Sequence, residues 1–339
     1  MHAGTTLSAS QLRREINARA EAYARKHHLL HDLSPGSNSS VIFGRDALGF
    51  HGNFHPASYN RILANPEWAR RLEKPHTASR RSVARKDWRW MELGSATSSD
   101  ALLMNVFCHP DIADDSGLNA PIAALLGVDR NVQPRFGANP GVPLATALKP
   151  RSKRAGPLAA FDRTEVDLVL AGPTTTLFVE AKLTESDFQT ASLALLTRYR
   201  DLDAVFDVDR LPRTNPAAPY SSTTGAWAPS LPPGVEPVEA DIPAEFFGAT
   251  KIAPAQIAGY QLIRNVLAAH AADAGFCLLL DARRRDLIDA WYAVLSAVRS
   301  VSFATRLRVL TWQDLLPALP GDLQQFLAEK YGIGAEREG

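Results

Sequence analysis

Four charged residues, Glu165, Asp167, Glu180 and Lys182, lie in two short apolar segments near the middle of the chain. Residues 164–170 read TEVDLVL and residues 175–182 read TTLFVEAK, with the turn residues Ala171-Gly172-Pro173 between them. Two β-rich runs separated by a turn predict a β-hairpin. Centring the turn between Pro173 and Thr174 sets Asp167 opposite Glu180 and Glu165 opposite Lys182. Opposed residues of an antiparallel pair share a face, and residues 180 and 182 share one because strand side chains alternate with period 2. One face then collects all four charges. Val166, Leu168, Val179 and Ala181 turn the other way, into apolar packing. A register slip of one residue would scatter the set.

Carboxylates gathered on a half-buried sheet repel one another and lose hydration. A divalent cation removes both costs. Mg²⁺ takes oxygen ligands, commonly one or two carboxylates plus waters and phosphate oxygens, and Mn²⁺ is its natural substitute. Such an ion polarises a phosphodiester and acidifies bound water. Lys182 beside it would position or deprotonate the attacking water, or neutralise charge on the phosphorus. The predicted chemistry is phosphodiester hydrolysis. The competing reading is an inert surface ion-pair cluster, which the apolar run 166–170 argues against.

Other residues have two readings each. Glu165 is a third metal ligand or the salt-bridge partner of Lys182. Glu92 reaches the metal from the preceding helix, or is a helix-start acid favoured by the dipole. Gln261 shares a helix face with Arg264 and Asn265. That face lines the site and contacts a phosphate, or is solvated. His27, His28 and His31 have helical spacing but no zinc-protease pattern, which favours a solvated helix. The basic run Arg80, Arg81, Arg85, Lys86 and Arg89, with Trp88 and Trp90, grips phosphate and stacks bases, or is a charged face over two core tryptophans. Lys149-Pro150-Arg151-Ser152-Lys153-Arg154 is a second candidate groove. Arg283-Arg284-Arg285 marks a strand-to-helix loop.

The elements that must position these residues follow from periodicity and turn signals. Helices are expected over 8–30, 66–74 and 98–107, with a short strand at 41–43. After the hairpin come a helix over 254–272, begun by Pro254, a strand over 276–281, a helix over 286–298, a strand over 307–311 and a broken helix over 313–331. That order predicts an α/β core with helices packed on a mixed sheet. Residues 210–243 hold eight prolines and read as a long insertion or lid. No internal repeat is evident.

Composition bounds the function. The chain has 339 residues, 45% of them hydrophobic, enough for a sizeable core in one domain or two. Thirty-seven basic and 36 acidic residues leave a formal charge of +1. This argues against a uniformly basic nucleic-acid-coating surface but permits a local groove. The two cysteines, Cys108 and Cys277, cannot build a disulfide framework or a four-thiolate zinc site, and read as reduced thiols of a cytoplasmic protein. No signal-type N-terminus and no membrane-length apolar run is present.

Asp167 followed by Glu180-Ala181-Lys182 on the next strand resembles the D…ExK signature of the PD-(D/E)XK nuclease superfamily. Glu165-Val166 stand where that pattern has its variable proline. Glu92, Ser98-Ser99-Asp100-Ala101 and Asn105 resemble the preceding helix of a bacterial subgroup named as restriction endonucleases by similarity. Tyr260-Gln261-Leu262-Ile263-Arg264-Asn265, Leu310-Thr311-Trp312 and Lys330-Tyr331-Gly332-Ile333 are similar to later elements of that subgroup. The resemblance implies a restriction-endonuclease-like α/β fold over 90–335, with an N-terminal helical extension over 1–89. It implies metal binding by Asp167 and Glu180, a catalytic Lys182, and DNA as substrate. A homodimer is left open. The rivals are a DNA-binding or scaffold protein with an inert site, and a same-fold nuclease acting on RNA.

Overall fold

The computed structural model describes residues 6–35, 39–75, 87–148, 159–214 and 256–334. The basic residues 80–86 and 149–154, the helix start expected at Pro254 and nearly all of the proline-rich segment lie outside them.

Six helices and five strands make the frame. The helices are α1 (Ala9–Lys26), α2 (Pro56–Ala64), α3 (Ser99–Phe107), α4 (Tyr260–Ala271), α5 (Arg285–Leu295) and α6 (Gly321–Tyr331). The strands are β1 (Gln133–Ala138), β2 (Val166–Ala171), β3 (Thr176–Ala181), β4 (Gly275–Leu280) and β5 (Leu307–Thr311). They lie side by side in sequence order in one sheet. β1, β2 and β3 form an antiparallel meander, whereas β4 runs parallel to both β3 and β5. The parallel joins need crossovers, supplied chiefly by α4 and α5. The result is a mixed sheet flanked by helices, as the sequence predicted. β1 and α2 had no clear signal in the sequence.

Both faces of the sheet are covered. Leu168, Leu170, Leu177, Val179, Ala181, Cys277 and Leu279 pack with Leu12 and Ile16 of α1, with α3, and with Leu323 and Leu327 of α6. Val169, Phe178, Phe276, Leu278 and Leu280 face Leu262, Ile263 and Val266 of α4 and Trp291 of α5. A fully buried Leu or Val is worth roughly 1.5–3 kcal/mol. A one-residue slip would drive Asp167 and Glu180 into an apolar face, so the core itself pins the register.

Local signals agree with the ends of these elements. Ser8 caps α1 in a capping box with Gln11, and Ser98 caps α3 through Ala101 N–H. The expected helix over 254–272 starts later, at Tyr260. Gln256–Ala258 is instead a strand between Thr190–Ser192 and Arg213–Thr214. Gly259, at φ +77°, makes the switch from strand to helix. A Cβ there would sit 2.7 Å from Val294 Cγ2 in a backbone conformation that side chains strain, which favours glycine.

Candidate active site

The hairpin forms in the expected register. Leu168 pairs with Val179 and Leu170 with Leu177, which carried one step further sets Asp167 across from Glu180. There the backbone ladder stops, and Asp167 Oδ2 takes over as acceptor, receiving Ala181 N–H at 2.8 Å. Two details of the sequence reading fail beyond that point, because β2 is no longer tied to the pleat of β3. Val166 packs on the α4 side, not with Leu168. Glu165 does not meet Lys182; its carboxylate lies 2.9 Å from Lys74 Nζ and 3.8 Å from Arg71.

Glu180 is 1% exposed and is held on three sides. Lys182 Nζ lies 2.9 Å from its Oε1, Gln261 Nε2 donates to the same oxygen at 2.5 Å, and Asn265 Nδ2 donates to Oε2 at 2.9 Å. Thr164 Oγ1 donates to Asn265 Oδ1 at 2.8 Å and so fixes which way that amide points. Gln261 and Asn265 share a face of α4 because they are four residues apart. The N-terminus of α4 is anchored on the 188–189 backbone, with Gln261 N–H donating to Phe188 O at 2.9 Å. Gln261 and Asn265 of that face reach Glu180, whereas Arg264 turns to Arg163 O and Asp162.

The electrostatics follow from burial and like charge. Burial first, then the Glu180 charge, pushes the Asp167 carboxyl well above the usual range. Burial likewise raises Glu180, though Lys182 partly offsets it. For Lys182, burial works against the ammonium, but the charges of Glu180, Glu185 and Asp167 outweigh it and hold the pKa above its ordinary value.

A second charged cluster borders the first. Lys74 Nζ lies 2.9 Å from Glu165, 3.3 Å from Asp100 and 3.3 Å from Glu92. Arg71 also pairs with Asp100 at 2.7 Å. Glu92 stands in the first turn of a short 3-10 helix, Glu92–Gly94, ahead of α3. Its carboxyl is raised, chiefly by burial. Asp100 occupies the first turn of α3, is buried, and its charge reaches Asp167 and Glu180. Its signal was an acid in an otherwise apolar helix. Glu185, bound by Ser99 Oγ at 2.7 Å and Leu183 N–H at 2.7 Å, had no such signal. Neither had Lys74 and Arg71, which come from far upstream.

A family described as restriction endonuclease associating with ARP matches residues 17–332. The chain belongs to that family. The match runs across the 89/90 division expected from the sequence. It supports a restriction-endonuclease-like fold, which the mixed sheet and flanking helices display. No curated protein and no solved structure matched the chain. For this restriction-endonuclease family member, no helix of the described residues is long and apolar enough to cross a membrane.

Proposed function

We propose that the chain is a divalent-metal-dependent endonuclease, using Mg²⁺ with Mn²⁺ as a substitute, that hydrolyses DNA phosphodiester bonds in the cytoplasm. The observation that carries this reading is the buried Glu180 carboxylate, 2.9 Å from Lys182 Nζ and across the hairpin from Asp167. The residues fit an oxygen-seeking cation. Both carboxyls are raised by burial, so each gains from a positive charge. Glu180 carries three donors on about four lone-pair sites, and Asp167 Oδ2 carries one, which leaves acceptor capacity on both.

Asp167 and Glu180 would hold the ion, which when bound polarises the phosphodiester and acidifies water. Gln261 and Asn265 orient Glu180, and Thr164 orients Asn265. Lys182 positions or deprotonates the attacking water, or stabilises charge developing on phosphate oxygens. Glu92 and Glu165 neutralise Lys74 rather than completing the ligand set.

Calorimetric Mg²⁺ titration and single-turnover DNA cleavage on the wild type, Asp167→Ala, Glu180→Ala and Lys182→Ala test this reading. Loss of either acid should weaken metal binding and cleavage together. Lys182→Ala should keep the metal and slow cleavage by at least ~100-fold, the scale of one electrostatic group. Cleavage by Lys182→Ala at the parental rate would remove Lys182 from the chemistry. One observation favours the rival of an inert, DNA-binding protein: Glu180 already has three protein donors around it. That rival predicts no Mg²⁺ binding and no cleavage by the wild type. Parallel RNA cleavage separates the same-fold ribonuclease.

A further inference from the structure

Away from the hairpin, two histidines and an aspartate converge from three helices. His55 is the residue before α2 and makes no side-chain capping bond. His109 follows Cys108, the C-cap of α3. Asp322 stands in the first turn of α6. Asp322 Oδ2 lies 3.6 Å from His55 Nε2 and 3.7 Å from His109 Nε2, and one ligand atom from each residue falls within 4.8 Å of the others. The histidine ring centroids lie 5.1 Å apart, with the ring planes tilted by 44°.

These separations are long for hydrogen bonds and near those of ligands around one ion. Zn–N and Zn–O bonds of about 2.0–2.2 Å at a tetrahedral angle set donor atoms roughly 3.3–3.5 Å apart. His109 is 1% exposed and His55 8%, so both rings are built into the protein. His109 Nε2, the atom aimed at Asp322, is buried with no hydrogen-bond partner. A buried nitrogen left so is costly unless something else engages it. The Asp322 side chain is 60% exposed, which opens the cluster to solvent on one side.

We propose that His55, His109 and Asp322 form a Zn²⁺ site, with water in the fourth position, that ties α2, α3 and α6 together. Two imidazoles and one carboxylate select zinc over Mg²⁺, which prefers oxygen ligands alone. The site is separate in chemistry and residues from the Asp167–Glu180 pair. It carries one internal cost. Asp111 N–H donates to His109 Nδ1 at 3.2 Å, which places the ring proton on Nε2. Ligation moves that proton to Nδ1 and gives up the Asp111 bond. His55 Nδ1 also has no partner to orient it. Zinc affinity is therefore weaker than in sites whose histidines are braced by acceptors.

The test is ZnCl₂ titration of the chelator-treated full-length chain by calorimetry, with thermal unfolding in parallel. With Mg²⁺ in excess to occupy the hairpin carboxylates, the wild type should bind one Zn²⁺ per chain and melt at higher temperature. Asp322→Asn, at a side chain exposed enough to leave folding intact, should weaken binding at least about 10-fold. His109→Ala should abolish it. Glu180→Ala and the exposed control His28→Ala should bind as the wild type does. Absence of zinc binding by the wild type, or undiminished binding by Asp322→Asn, overturns the proposal. So does loss of binding in Glu180→Ala, which would place the ion at the hairpin.

Discussion

At the scale of single residues, the site is organised around Glu180. Its orientation depends on Asn265, and Asn265 depends on Thr164. Asn265→Ala should strand the Thr164 hydroxyl and one Glu180 oxygen in a buried place, at about 1–3 kcal/mol of stability by urea unfolding. Thr164→Val, which leaves the Asn265–Glu180 bond in place, should cost less. An equal loss in both would mean that Asn265 is there for packing alone. The raised carboxyls make a second prediction. A raised folded pKa contributes stability that is full below the unfolded value, about 4 for these groups, and is lost as pH rises through the folded value. The metal-free chain should therefore lose stability above about pH 4 as Asp167 and Glu180 ionise. Mg²⁺ should restore it, raising Tm more at about pH 8 than at about pH 5. Melting curves in chelator and in Mg²⁺ across that range would show it; a pH-independent Mg²⁺ shift would disconnect the ion from these carboxyls.

At the scale of elements, the hairpin and α4 do most of the positioning, and they differ in how legible they were. The hairpin was readable to the register because alternation and turn chemistry are local properties of 20 or so residues. The start of α4 was not. Pro254 is a good helix-start signal, but Gln256–Ala258 find two strand partners, Thr190–Ser192 and Arg213–Thr214, that lie far away in sequence. Gly259 then becomes the critical residue, since its left-handed backbone lets a helix start directly after that strand. Gly259→Ala should destabilise the chain by about 1–3 kcal/mol through left-handed backbone strain. It should also reduce cleavage by displacing Gln261 from Glu180. Unchanged stability would show that Val294 and the backbone adapt freely.

At the scale of the whole molecule, α1 is an integral part of the structure. Leu12, Ile16, Ala20 and Ala24 are fully buried in the core that also holds α6 and the sheet. Lys26 reaches Glu329 at 2.6 Å and Arg283 reaches Glu15 at 2.7 Å, tying α1 to α6 and to the loop between β4 and α5. Ile16→Ala should cost roughly 2–5 kcal/mol, and deletion of residues 1–30 should abolish cooperative unfolding. A truncated chain that melts like the parent would instead make the N-terminal part a detachable extension.

What the sequence determined by itself was the α/β alternation, the hairpin and the pairing of Asp167 with Glu180. All of these rest on side-chain periods of 2 and 3.6 residues and on turn residues close at hand. What only the tertiary structure decided was who answers each charge. Glu165 meets Lys74 across 91 residues, Glu180 meets Asn265 across 85, and Lys74 meets Asp100 across 26. His55, His109 and Asp322 are likewise brought together because α3 packs with α2 in one cluster and with α6 in another. No local period encodes such meetings. They depend on which helix covers which face of the sheet, and that is settled by burial of the whole chain at once.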